Sequence, residues 1–278
     1  AAGDSIIFQQ RVEAQFLQYL KKGTSNAESL TLSFWVKSTK TGTYIVFFYD
    51  QDNARSISKS YTIDSADTWE KKTITFAGDT TGAFDNDNAL SLQVNFFLGG
   101  GSDWTSGTLN TSWNSWTQAN SAVGSVNLAD STSNDWYITG VQLEAGTTAS
   151  DFEFLPVDVN LERCLRYYQI LTQYGDATNP NTSFGLGTYY STTAMYAPFP
   201  TKVRLRASPS IDQTSGTDYY RIYRNGGSDG FNNFVLSSYS NTRYVELTVT
   251  SGVSGTAGQA GFLRTLNSNA YIAFDAEL

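Results

Sequence analysis

The sequence predicts an all-β protein, with a jelly-roll or β-sandwich domain, a linking helix and a second β-sandwich-like domain. Aromatic residues make up 14% of the 278 residues and charged residues only 16%, whereas an average soluble domain has about 25% charged residues. Aromatic side chains pack well on a pleated sheet, and helical surfaces usually carry many Glu, Lys and Arg. Short segments with period-two hydrophobicity alternate with Gly-, Asn- and Asp-rich turns. Because one stretch alone has helical periodicity, we expect less than about a quarter of the chain to be helical.

The jelly roll is predicted over the first half of the chain, residues 1–155. Phe34 and Val36 alternate with Ser33 and Lys37, which is the period of a strand with one buried face. Turn sequences such as KTGT, DQDN, AGDTTG and DNDN separate the apolar segments. The predicted strands cover residues 29–37, 44–49, 71–76, 90–98 and 136–144.

A linking helix is predicted over residues 156–172, after Pro156. Its apolar residues recur at i, i+3, i+4, i+7 and i+10, so they share one helical face. These residues are Leu161, Cys164, Leu165, Tyr168 and Leu171. Asp158 or Asn160 can cap the start of this helix. We expect Cys164 to be a small buried hydrophobic residue rather than a reactive thiol, because no histidine is present to activate it.

The second β domain is predicted over residues 173–278. Its predicted strands cover residues 183–190, 202–206, 219–223, 233–236, 243–249 and 271–277. In the segment 202–206, Lys202, Arg204 and Arg206 alternate with apolar residues and so share one face. Such a face is either solvated and protects a sheet edge, or it contacts a sulfated or phosphorylated glycan.

Composition argues against several functions. The chain has no histidine, which excludes Ser-His-Asp and Cys-His catalysis and His-ligated metal sites. One cysteine cannot form an internal disulfide or a Cys₄ zinc site. A net charge of −8 disfavours nucleic acid and acidic membrane surfaces as partners. The six-residue apolar run 44–49 is too short for membrane insertion. The start, AAGDSIIFQQ, has neither an initiator Met nor a signal-peptide pattern, which indicates a piece of a longer protein.

Four separated motifs carry a family resemblance. They are LTLSFWVKSTKTGTY, YTIDSADTWEKKTITFAGDTTG, WYITGVQLEAGTTASDFEF and ERCLRYYQ, in this order over roughly residues 9–172. This combination resembles a family of bacteriophage tail-fibre and virion-surface proteins with a carbohydrate-binding-module-like jelly roll. The chain departs from the family at Leu155-Pro156, where an Arg-Pro is expected. The resemblance implies a place on the virion surface, either in a tail fibre or on the capsid exterior, with other virion proteins as partners.

Two groups of aromatic residues are candidate glycan contacts. Trp104, Trp113 and Trp116 lie in a long polar loop, where indoles either stack on sugar rings or pack down to anchor the loop. Three tryptophans in or next to predicted strands are expected in the core or packed on a sheet instead: Trp35, Trp69 and Trp136.

Tyrosines form the second group. Tyr189, Tyr190 and Tyr196 lie close together in the second domain, and a further cluster follows in DYYRIYRNGG. Tyrosine-rich strands in a chain with few charges suit either sugar recognition or packing between subunits.

Two acidic turns are candidate calcium sites. Asp50 and Asp52 lie in DQDN, and Asp85 and Asp87 lie in DNDN. Alternating Asp and Asn oxygens suit Ca²⁺, but the glycine and closing glutamate of an EF-hand are missing. Asx turns explain the same pattern without metal. No other cofactor is expected, and turn carboxylates are normally solvated, which argues against a glycosidase pair.

Together these observations predict a phage tail-fibre domain that binds a neutral or weakly charged bacterial surface glycan. The alternative is a purely structural virion component, such as a capsid decoration or a tail adaptor. A carbohydrate-active enzyme is a third possibility, disfavoured by the missing acid/base groups. The resemblance and the charge-poor, aromatic-rich composition also predict a homotrimer.

Overall fold

The fold is all-β, which confirms the fold class that the sequence predicts. A computed structural model describes residues 1–176 and 181–278. Strands account for 43% and helices for 9% of the residues, below the predicted limit of about a quarter. The chain divides into two compact units, residues 1–154 with Leu278, and residues 155–277. We call them unit 1 and unit 2.

Unit 1 is a sandwich of two antiparallel sheets. Its strands are β1 (Ser5–Glu13), β2 (Leu30–Ser38), β3 (Gly42–Asp50), β4 (Arg55–Ile63), β5 (Glu70–Phe76), β6 (Leu90–Gly100), β7 (Asn114–Ser115) and β8 (Trp136–Ala145), and one short helix is α1 (Ser102–Thr105). The larger sheet has the order β1-β6-β3-β4-β7, and the smaller one has the order β5-β2-β8.

The core of unit 1 lies between the inner faces of these sheets. Phe34 from the smaller sheet meets Phe96 from the larger sheet edge-to-face, with ring centroids 5.1 Å apart. Phe48 and Phe76 stack at 3.9 Å. All four rings are buried, and each contributes roughly 1.5–3 kcal/mol through removal from water. The period-two pattern therefore forms strands here because each alternate residue has an apolar partner across the sandwich.

Unit 2 contains the remaining described elements. They are α2 (Val157–Leu165), β9 (Tyr168–Gln173), β10 (Ser183–Tyr189), β11 (Met195–Pro200), β12 (Ser210–Gln213), β13 (Tyr220–Arg224), β14 (Gly227–Phe231), β15 (Val235–Leu236), β16 (Tyr244–Val249), β17 (Ala260–Thr265) and β18 (Tyr271–Asp275). A seven-stranded sheet has the order β14-β13-β17-β10-β11-β16-β15, and a three-stranded sheet has the order β12-β18-β9.

Aromatic side chains fill the core of unit 2. Phe234 meets Phe231 edge-to-face at 5.0 Å and lies 5.4 Å from Tyr220. The Tyr220 hydroxyl donates to the carbonyls of Thr214 and Tyr271, both at 2.8 Å, so this buried polar group is satisfied. One face of the seven-stranded sheet packs on this core, and its other face carries the exposed side chains discussed below.

The predicted helix 156–172 is too long. The helix α2 ends at Leu165, and β9 begins three residues later and pairs with β18. Residues 167–172 are rich in aromatic and β-branched side chains, and pairing with β18 competes successfully with helical periodicity there. Cys164 is exposed rather than buried, because α2 buries none of its residues.

Three further expectations are corrected. Residues 202–206 form no strand, since Gln169 holds this segment through its side chain, accepting from the Lys202 N–H and donating to the Val203 carbonyl. Trp35 and Trp69 are not core residues, because 42% and 43% of their surfaces are exposed. Trp136, in contrast, packs on the core of unit 1 as expected.

Candidate functional site

The loop tryptophans have different environments. Trp104, in α1, packs against Phe47 and Phe97 with ring centroids 6.4 and 5.9 Å away. The indole of Trp113 packs against the unit 1 core and donates to the Ala77 carbonyl at 2.8 Å. Trp116 alone is exposed, beside Tyr49. The geometry of Trp104 and Trp113 is that of loop anchors, which was the alternative to sugar contact.

The acidic turns form hydrogen bonds within and between themselves. Asp50 accepts from the N–H groups of Asp52 and Asn53 at 3.0 and 3.1 Å. Asp52 accepts from the N–H of Asp85 at 3.1 Å, so the two turns lie side by side. Asp87 accepts from the N–H of Ala89. The bonds from Asp52 to Asp50 and from Ala89 to Asp87 have the Asx-turn pattern, which explains such sequences without a metal.

A buried lysine lies against one of these turns. Only 4% of the Lys22 side chain is exposed, and its Nζ lies 2.6 Å from an oxygen of Asp50 and 3.1 Å from an oxygen of Asp79. It also donates to two backbone carbonyls, those of Thr81 and Gly82. Nothing in the sequence pattern indicates this site, because its members come from separate strands and loops.

Arg55 completes this buried ionic cluster. Its guanidinium makes two parallel hydrogen bonds to Asp79, at 2.7 and 3.0 Å. Burial favours the neutral acid of Asp79, but the bonds from Arg55, the Thr81 N–H and Lys22 outweigh it and hold the pKa below its ordinary value. The cluster therefore keeps both carboxylates compensated inside unit 1, and its role is structural.

An exposed aromatic face covers the outside of the smaller sheet of unit 1. Lys37 lies over the ring of Tyr137 at 4.7 Å and over that of Trp69 at 5.6 Å. Trp35 and Lys37 are two residues apart in β2, so both side chains point away from the core. The alternation of Trp35 with Phe34 and Val36 already placed it on the polar face, so the sequence contained the signal for its exposure.

An open groove lies on the outer face of the seven-stranded sheet of unit 2. Its volume is about 650 Å³, and its lining includes Tyr190, Tyr196, Tyr239 and Glu246. Tyr190 and Tyr239 are 76% and 82% exposed. Tyr196 is half-buried, and its ring lies 5.4 Å from that of Tyr190 at an angle of 67°.

Strand register brings these side chains to one face. Tyr196 is opposite Thr188 of β10 on one side and opposite Thr248 of β16 on the other. Glu246 is two residues before Thr248, so its side chain points to the same face as Tyr196. The alternate residues of β16, Val245 and Leu247, are buried in the core.

The loop that carries Tyr239 is tied to the backbone of Glu246. The hydroxyl of Ser240 accepts from the Glu246 N–H at 3.0 Å and donates to its carbonyl at 3.2 Å. The Ser237 N–H donates to the same carbonyl at 2.9 Å. Three hydrogen bonds therefore place an exposed ring beside a half-buried carboxylate.

Tyr189, the third predicted tyrosine, borders the groove but does not offer its ring to it. Its ring is fully buried, and its hydroxyl donates to Asp229. Burial and this bond raise its pKa far above the ordinary value. Its side chain points to the core, since successive residues of β10 alternate between faces. Of the three predicted tyrosines, Tyr190 and Tyr196 offer their rings to the groove.

The groove combines aromatic rings with one carboxylate. Among the described residues, no side chain or N–H group donates to the carboxylate of Glu246. Ring faces attract sugar C–H groups and cations, and an unpaired carboxylate accepts hydrogen bonds from hydroxyl or ammonium groups. This arrangement can hold a polar ligand that also has an apolar face.

The described residues contain neither a metal-binding group nor a membrane-spanning helix. Within 1–176 and 181–278, no three acidic, His or Cys side chains are grouped so that they could hold a metal ion. Calcium at the acidic turns therefore stays a prediction. Across these described ranges, no helix is long and apolar enough to span a membrane.

Comparisons with known proteins give no family. No family model matches the chain, and no curated protein matches it. Among solved structures, two tryptophan-substituted variants of Bacillus subtilis oxalate decarboxylase align at 9% identity over 99% of this chain and 74% of theirs. Their TM-scores of 0.16 and 0.17 are too low to support an argument about fold or function.

Proposed function

We propose that this protein is a bacteriophage virion protein, a tail-fibre domain that attaches to a glycan on the bacterial surface. The observation that carries the proposal is the open groove whose tyrosines Tyr190 and Tyr239 are left largely uncovered by their own unit. Rigid aromatic side chains offer contact area at a low cost in conformational entropy. The placement on a virion rests on the motif resemblance of residues 9–172.

Attachment through this groove is weak at a single site. Each contact between a ring and a sugar is worth on the order of 1 kcal/mol, as for other aromatic contacts. Useful attachment then needs several copies, which a homotrimer and several fibres per virion supply through avidity. We therefore include the homotrimer in the proposal.

Catalysis is not part of the proposal. Glycoside hydrolysis needs two carboxyl groups on either side of the scissile bond. Of the residues that line the groove, Glu246 is the acidic one, with tyrosines, a threonine and a glycine as its neighbours.

The test replaces Tyr190 and Tyr239 together by alanine. Adsorption of the trimeric fibre to host bacteria should fall at least about tenfold, since two ring contacts are lost from every subunit. Tyr244→Ala is the matched control, because Tyr244 is exposed on the same sheet but does not line the groove. The thermal midpoint of all variants should stay within about 2 °C of the parent, since the removed rings are on the surface. Unchanged adsorption by the double variant would contradict the proposal.

A purely structural role is the second candidate, and a separate observation favours it. Leu186 and Phe262 are directly opposite each other on the outer face of the seven-stranded sheet, and both are exposed. Adjacent exposed apolar residues of this size are typical of contacts between subunits. If Leu186→Ser and Phe262→Ser abolish the trimer in light scattering while the groove variants leave adsorption unchanged, the structural role replaces glycan attachment.

A further inference from the structure

We propose that the groove of unit 2 recognises an ammonium group on its glycan, such as the free amine of an amino sugar. This rests on the proposed function and narrows it, since composition alone predicts a neutral or weakly charged ligand. The observation is the combination of three tyrosine rings, Tyr190, Tyr196 and Tyr239, with the carboxylate of Glu246 in one groove.

Two of the three rings contact each other edge to face. Tyr190 and Tyr196 are 5.4 Å apart at 67°. A cation interacts with a ring when it lies within about 6 Å of the centroid. Since Tyr190 is 76% exposed, part of its ring surface stays open to a ligand, and an electron-rich ring face attracts a cation more strongly than a neutral group of the same size.

Glu246 is in position to bind the same group. It is a diagonal neighbour of Tyr196 across β11 and β16, where side chains are roughly 7 Å apart at their bases. An ammonium nitrogen about 2.8 Å from the carboxylate also lies within reach of the tyrosine rings. The distances thus allow one cation to satisfy the carboxylate and the rings together.

The charge of the site favours this occupant. The carboxylate of Glu246 is half-buried and has no donor among the described residues, so part of its hydration is lost without compensation. The net charge of −8 attracts cations at long range and repels sulfated or phosphorylated sugars. The groove volume of about 650 Å³ is in the ordinary range for a ligand of a few sugar rings at most.

The experiment compares two sugars that differ in N-acetylation, which replaces each ammonium group by a neutral acetamide, and the salt dependence and the Glu246 variants isolate the effect of charge. A β-1,4-linked glucosamine tetrasaccharide and its fully N-acetylated counterpart are titrated into the purified chain by calorimetry. The glucosamine probe should bind about tenfold more tightly, since N-acetylation removes the cation. Higher salt should reduce this preference, because a charged contact at an open groove is screened.

Substitutions assign the preference to these residues. Glu246→Gln keeps the shape and should remove the preference, whereas Glu246→Asp should retain part of it. Tyr239→Leu keeps apolar area without the π face and should lose several-fold in affinity, and Tyr239→Phe, which keeps the ring face, should lose less than Tyr239→Leu. Tyr244→Leu, outside the groove, is the control for surface changes.

The outcomes separate the inference from the function on which it rests. Equal affinity for the two sugars, or an unchanged preference in Glu246→Gln, refutes ammonium recognition but leaves glycan attachment standing. Failure of both sugars to bind also refutes ammonium recognition. Failure of the Tyr190 and Tyr239 double variant to reduce adsorption to bacteria refutes glycan attachment itself.

Discussion

The buried ionic cluster of unit 1 supports a quantitative prediction about stability. Replacing Lys22 by methionine removes the ammonium and keeps a chain of similar length. The carboxylate of Asp50, fully buried, then loses its contact at 2.6 Å, and Asp79 retains Arg55 and the Thr81 N–H. Removing one partner of a buried ion pair typically costs about 3–5 kcal/mol, because the remaining charge stays buried without compensation.

This loss converts into a large shift of the melting temperature. For a unit of about 150 residues, 1 kcal/mol corresponds to roughly 2–4 °C, so Lys22→Met should lower the midpoint of unit 1 by about 10 °C. The assay is thermal and urea unfolding followed by tryptophan fluorescence, since all six tryptophans lie in unit 1.

Lys21→Met is the matched control. Lys21 also pairs with a carboxylate, that of Glu28 at 2.8 Å, but both side chains are about half exposed. Such pairs contribute less than about 1 kcal/mol, so the control should shift the midpoint by no more than about 3 °C. A second variant, Lys22→Met with Asp50→Asn, should recover part of the loss, because the uncompensated charge is removed. A loss below about 1 kcal/mol in Lys22→Met would refute the reasoning.

Three further predictions concern the same chain. The pKa of Asp79 is lower in the folded state, so the contribution of this carboxylate to stability is present above the ordinary Asp pKa of about 3.9 and is lost as the pH falls through the lower folded value. The urea midpoint of unit 1 should therefore drop between about pH 4 and pH 2, and Asp79→Asn should flatten that drop. Trp113→Ala should lower the free energy of unfolding by about 2 kcal/mol, since the indole packs on the core and donates to Ala77, whereas exposed Trp116→Ala should cost less than about 0.5 kcal/mol in the same unfolding assay. Cys164 is exposed, so a thiol reagent should label it in the folded protein as fast as in urea, and slow labelling of the folded chain would contradict its exposure.

Only part of the candidate groove could be expected from the sequence. Tyr190 and Tyr196 stand out because they lie close together in a segment with few charges. Tyr239 and Glu246 do not stand out in the sequence. The loop between β15 and β16 brings Tyr239 to the groove, and the pairing of β11 with β16 brings Glu246 there. Tyr189 is next to Tyr190 in the sequence, but adjacent strand residues point to opposite faces, so the Tyr189 ring lies in the core.

The sequence by itself determined the fold class and the phase of most strands. The alternation of apolar and polar residues is a local property of the chain, as in Phe34 and Val36 with Ser33 and Lys37. A strand with one apolar face is stable when that face is buried against another apolar surface. The same alternation puts Trp35 on the outward strand face with Lys37, and the structure has it exposed there, although tryptophan is usually buried.

Tertiary structure decided where local signals competed and where distant groups met. The segment after Leu165 has a helical apolar period, yet pairing with β18 supplies backbone hydrogen bonds and core contacts that a continued helix would forgo. The Lys22 cluster depends on Asp50 and Asp79 reaching the lysine from separate segments, and the attraction between these opposite charges is strong where burial lowers the local dielectric. Periodicity depends on neighbours in the chain, whereas charge pairing and sheet pairing depend on neighbours in space, and only folding creates those.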